Sequence, residues 1–107
     1  MNKVVYNGKF GGFSLSVTAM QWLANNAREE IKAVAIEELA NNKYFIPEIA
    51  RHDPDLVRCV ETLGSAANGD FADLRVRELK GNRYRIDVYD GYEDVFEPED
   101  EEYITIE

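Results

Sequence analysis

The chain carries one histidine, His52, and one cysteine, Cys59. Its means for nucleophilic or proton-transfer chemistry are therefore few. His52 stands in Arg51-His52-Asp53-Pro54. Imidazole titrates nearest neutrality, and Asp53 beside it offers a His-Asp general-base pair. The same residues precede a helix start, where amides and a guanidinium can hold an anion or a substrate. The plainer reading is that Asp53 caps the helix while Arg51 and His52 make loop hydrogen bonds. With no second ligand at a recognised spacing, His52 points to no metal. Cys59 could approach His52 at one helix end, yet no third group orients such a pair. Beside an apolar helix face, Cys59 reads as a small buried hydrophobe.

Three further clusters could bind. Gly11, Gly12, Phe13 and Ser14 lie between a strand and a helix start, where backbone amides can meet an anion. The run lacks the lysine of a phosphate loop and the spaced glycines of a dinucleotide site. A tight turn needing permissive backbone angles explains it as well. Tyr89, Asp90, Gly91, Tyr92 and Glu93 form a turn with two tyrosines and two acids. Exposed tyrosines there make good contact residues, and buried ones close the edge of a core. Arg75, Arg77, Lys80, Arg83 and Arg85 crowd one short stretch. Arginine forks suit phosphate and carboxylate, so Arg75, Arg77 and Arg85 are an alternative anion site.

Elements must position these groups. Residues 3–6 read as a strand ended by Asn7-Gly8. Ser16 is a helix N-cap, with Leu15 and Met20 at staple spacing. Met20, Leu23, Ala27, Ile31, Val34, Ala35 and Leu39 recur at steps of three or four, giving one helical stripe over 16–41. It forms one helix or two, with Asn25-Asn26 as the break and Asn26 as the second cap. Tyr44-Phe45-Ile46 is extended before Pro47. Asp53 and Pro54 start a helix with Leu56, Val57, Val60 and Leu63 on its apolar face, and Gly64 stops it. Residues 72–89 read as a hairpin around Lys80-Gly81-Asn82, with Val76 opposite Ile86 and Leu74 opposite Val88. That register puts Arg75, Arg77 and Arg85 on the other face. Tyr103-Ile104-Thr105-Ile106 is strand-like. The expected class is α+β, one domain over 1–107, with two or three helices on one face of a small, mostly antiparallel sheet.

The chain has 107 residues and a formal net charge of −9. Eight acids and no base lie in residues 93–107, so that segment supplies −8 of the −9. The balance argues against a general nucleic-acid binder, which needs a basic surplus. A local arginine face weakens that exclusion unless the acidic segment folds back over it. No apolar run approaches the ~20 residues that cross a bilayer. The N-terminus lacks a signal-peptide pattern, and a single cysteine excludes an intrachain disulfide, so a cytoplasmic protein is expected.

Four motifs stand together in order: Tyr6 with Gly11-Gly12-Phe13-Ser14-Leu15-Ser16; Arg51-His52-Asp53-Pro54-Asp55-Leu56-Val57; Leu63-Gly64 with Ala67-Asn68-Gly69; and Tyr89-Asp90-Gly91 with Glu93. In this order they resemble a family of small, mostly uncharacterised proteins of bacteriophages and prophages. The resemblance implies an accessory protein of phage type in a bacterial cytoplasm. It carries no activity to any residue.

The leading expectation is thus a non-enzymatic binding module. It would meet a protein partner, basic in character, through the acidic segment and the Tyr89–Glu93 turn. The alternative is a small-molecule or nucleotide binder at the Gly11–Ser14 turn with Arg51 and His52. An enzyme using His52 and Asp53 stands last. No cofactor, metal or membrane contact is expected.

Overall fold

Local capping chemistry sets the helices. The Ser16 hydroxyl accepts the Ala19 amide and starts α1, Val17–Asn26. A break at Ala27-Arg28 separates it from α2, Glu29–Asn41. Asp53 accepts the amides of Asp55 and Leu56 and starts α3, Pro54–Leu63, which Gly64 ends at φ 57°. A single 3-10 turn follows at Gly64–Ala67. The strands are β1 (Lys3–Asn7), β2 (Leu74–Glu78), β3 (Arg85–Tyr89) and β4 (Tyr92–Phe96). This computed structural model describes residues 2–98. The strand expected at Tyr103–Ile106 lies outside them.

Over the described residues the fold is α+β, with two antiparallel sheets of two strands each. The helical stripe packs as expected: Met20, Leu23, Ala27, Ile31 and Ala35 join Leu56, Val57, Cys59 and Val60 in the main core. Val5, Phe13, Leu15, Phe45 and Leu74 close it from the strand and loop side. Leu15 bridges both Phe45 and Asn68, so the extended Tyr44–Ile46 segment is stitched to the start of α1. A smaller cluster gathers Val4, Leu79 and Val95, with Tyr6, Tyr84 and Ile86 against it.

Two expectations are corrected. The hairpin of residues 72–89 does not form. Val76 pairs with Val5 and Leu74 with Asn7, so β2 joins β1 across the whole helical segment. Ile86 pairs instead with Val95, and Val88 with Glu93. The β3–β4 connection is the two-residue turn Asp90-Gly91, both at positive φ (48° and 84°). That turn type matches strand twist and outcompetes a longer loop. Asn26 is not the cap of α2 either. Its side chain donates back to the Trp22 carbonyl, and Arg28 holds the N-cap position without a side-chain bond.

Candidate functional site

Arg51 and Glu93, both candidates for ligand contact, bind each other. Arg51 Nη1 and Nη2 donate to Glu93 Oε1 and Oε2 at 2.6 and 2.9 Å. The guanidinium also lies 3.5 Å over the Phe13 ring. Glu93 Oε1 accepts the Asn7 amide at 2.8 Å, and Glu93 is only 4% exposed. The Arg51 carbonyl in turn accepts the Val5 amide. This forked pair therefore clamps β1, β4, the Gly12-Phe13 segment and the loop before α3 together. A buried charge pair survives only with such full satisfaction.

Asp53 faces its own helix and not His52. Burial works to raise its pKa, but the Arg28 hydrogen bond, two amides and the Arg28 charge outweigh it and hold the carboxyl below its ordinary value. Arg28 Nη2 meets Asp53 Oδ2 at 2.5 Å, and Arg28 Nη1 meets Asp55 Oδ2 at 2.8 Å. Arg58 takes the other oxygen of Asp55. These carboxylates anchor the α1–α2 junction to the start of α3. His52 is exposed, with Nδ1 2.7 Å from the Tyr84 hydroxyl. It borders a hollow of about 130 Å³ with Asn2, Leu79, Asn82 and Tyr84. The His52-Asp53 base pair is thus not assembled. Cys59 faces the Ala19 carbonyl inside the core, and burial pushes its thiol up to about 12. It is no nucleophile at neutral pH.

The three arginines do not form one face. Arg75 is held by Asp73 on β2's own approach, and Arg85 by Asp87 within β3. Arg77 donates to the Val95 carbonyl and pairs with Glu97 at 3.4 Å. Glu97 is 2% exposed and also accepts the amides of Lys80 and Gly81. The acidic segment thus sends Glu93 and Glu97 inward, each to an arginine. The fold-back of acidic residues onto the basic stretch is real at Arg77. Among the described residues no group of three metal-ligating side chains occurs.

The two glycine turns do meet. The Gly11 amide donates to the Asp90 carbonyl at 3.0 Å. Gly91 presses on the backbone of Gly11 and Gly12, leaving no room for a Cβ. Gly11 stands at φ 119° beside Phe71. Asn7, fully buried, ties the corner: its amide group donates to the carbonyls of Lys9 and Gly91, and its Oδ1 accepts the Asp73 amide. On this rigid corner stand aromatic side chains. Phe10 packs against Tyr92 at 5.5 Å and Tyr89 at 6.3 Å between ring centroids. Phe10 is 60% exposed, Phe71 63% and Tyr89 74%. Tyr89 and Tyr92 were candidates, while Phe10 and Phe71 escape sequence reading. Ser14 is elsewhere; its carbonyl accepts the Gly69 amide at the loop after the 3-10 turn.

Compared with protein families, curated proteins and solved structures, the chain matches none. Among the described residues no helix is long and apolar enough to cross a membrane.

Proposed function

We propose that this chain is a non-enzymatic binding module, an accessory protein of the phage type that its motifs resemble, acting by protein–protein contact through the Phe10–Tyr89–Tyr92 corner. The observation that carries this reading is the exposed aromatic group on an over-braced turn pair. Aromatic rings held rigid and solvent-facing lose little freedom on binding and bury much area, the pattern of contact hot spots. A loop that merely closed the core would turn these rings inward. Asp90 at the tip favours a partner with basic character around an apolar pocket.

Two donors of the small-anion reading are already engaged. The Arg51 fork already holds a carboxylate, and the Gly11 amide already serves Asp90. Enzyme chemistry at His52 lacks the oriented carboxylate that a general base uses.

The experiment is affinity capture from bacterial extract with wild type, Phe10→Ala/Tyr89→Ala and His52→Ala. A partner retained by wild type and His52→Ala, and lost with the aromatic variant at unchanged melting temperature, supports the reading. Equal recovery by all three refutes it. A thermal shift with a nucleotide or phosphorylated metabolite would favour the small-molecule alternative instead.

A further inference from the structure

Among the described residues, strand β3 has an open outer edge. The Asp90-Gly91 turn makes Tyr89 and Tyr92 a hydrogen-bonded pair, as two-residue hairpins do. Alternation then makes Asp87–Asp94 and Arg85–Phe96 hydrogen-bonded pairs also. The backbone groups of Ile86 and Val88 therefore point away from β4. The same parity sends the Val95 carbonyl to the opposite edge, where Arg77 takes it.

Several outward groups of the other strands find partners. The Val5 amide goes to Arg51, the Asn7 amide to Glu93 and the Leu74 amide to Asn68. Among the described residues nothing bonds the outward groups of Ile86 and Val88. Within Arg85–Tyr89 there is no lysine, proline or bulge to blunt the edge, and its two charges, Arg85 and Asp87, are of opposite sign. The Val88 side chain is 62% exposed.

We propose that this edge pairs with a second copy of the chain, antiparallel across a two-fold axis at Ile86. Charge selects the occupant and the register. With the axis at Ile86, Arg85 stands opposite Asp87 of the second copy, and Asp87 opposite its Arg85, on one face. Ile86 meets Ile86 and Val88 meets Tyr84 on the other. Moving the axis to Arg85 sets arginine against arginine, and moving it to Asp87 sets aspartate against aspartate. Like charges directly opposite oppose pairing. An axis at Val88 leaves Asp87 against Tyr89. Only the Ile86 axis turns Arg-Ile-Asp into a self-complementary strand, as an isologous contact requires. Each turn then projects at an opposite end of the paired strands, so the dimer presents its aromatic corner twice.

The test needs two readouts. Sedimentation across a concentration series should show wild type passing from monomer to dimer. Asp87→Arg should weaken that dimer about tenfold, by setting two arginines against two. The swap Arg85→Asp/Asp87→Arg should restore it. Independently, Ile86→Cys should form a disulfide-linked dimer under mild oxidation. Opposed residues of a hydrogen-bonded pair lie about 5.5 Å apart between Cα atoms, within disulfide reach. Val88→Cys should not link, because its two copies would lie about 13 Å apart at ~3.4 Å per residue. The native Cys59 is buried and stays out of the reaction. A monomer at every concentration overturns the proposal, whether residues 99–107 or a different protein takes the edge. So does a dimer indifferent to Asp87→Arg, or linkage at Val88 in place of Ile86. Melting temperatures of each variant separate lost pairing from lost folding.

Discussion

Replacing Glu93 with alanine removes one acceptor that serves two donors. The Arg51 fork loses its counter-charge, and the Asn7 amide loses its partner. Leaving one member of a buried pair uncompensated costs about 3–5 kcal/mol. The Arg51 side chain keeps 22% exposure, so water recovers part of that loss. An orphaned buried amide adds about 1–3 kcal/mol, though the two losses overlap. A destabilisation of roughly 3–4 kcal/mol follows from these two terms. At ~4–8 °C per kcal/mol for a domain near this size, melting should fall by more than about 10 °C. Glu93→Gln keeps one oxygen for the Asn7 amide and Arg51 Nη1 but turns an NH2 toward Arg51 Nη2, so it loses the charge and one hydrogen bond and should cost less than alanine. Arg51→Met/Glu93→Leu should be less destabilised than the sum of its single changes, since it leaves no charge behind. Urea unfolding followed by circular dichroism measures each variant and the two single changes of the double. Single variants costing under ~0.5 kcal/mol, or strict additivity in the double, would refute the clamp.

Other outcomes follow from the same structure. Gly91→Ala should destabilise by at least ~1–3 kcal/mol, because its φ of 84° disfavours a side chain and its Cβ would strike the Gly11-Gly12 backbone. Asp90→Asn should be near neutral, since asparagine accepts positive φ; both are read by melting. Asp53 has a lowered folded pKa, so its stabilisation is complete above the ordinary carboxylate range and disappears as pH falls through the folded value. Asp53→Asn keeps an N-cap acceptor but loses the charge paired with Arg28, so it should flatten the acid limb of the melting curve, while Asp53→Ala should also lose the cap and cost about 0.5–2 kcal/mol at neutral pH. Cys59 should resist iodoacetamide at pH 8 in the folded protein and react once denatured, by mass spectrometry.

Much of the helical half is legible from sequence because its signals are local. Ser16, Asp53-Pro54 and Gly64 each act on the next few residues, and the stripe from Met20 to Leu39 needs no distant partner. Strand pairing is different. Leu74-Arg75-Val76 alternates as well against Ile86 as against Val5, and three helices separate it from the partner it takes. The acidic run conceals β4 for a related reason. Glu93 and Glu97 look solvated until Arg51 and Arg77 are placed beside them. One signal did point there: Asp-Gly flanked by Val88-Tyr89 and Tyr92 is the pattern of a two-residue hairpin. Arg51 and Glu93, singled out for binding, are distinctive because they brace the corner. Phe10 and Phe71 carry no periodicity, so only the folded arrangement shows them with Tyr89 and Tyr92 on one corner.

The contact reading rests on that corner, and one comparison tests it most directly. Partner capture by wild type and by Phe10→Ala/Tyr89→Ala is measured at low and high salt, with folding verified by melting. The aromatic variant should lose the partner at both salt levels while wild type retains most of it at high salt. Capture that survives the aromatic changes, or that vanishes for wild type with salt alone, contradicts it.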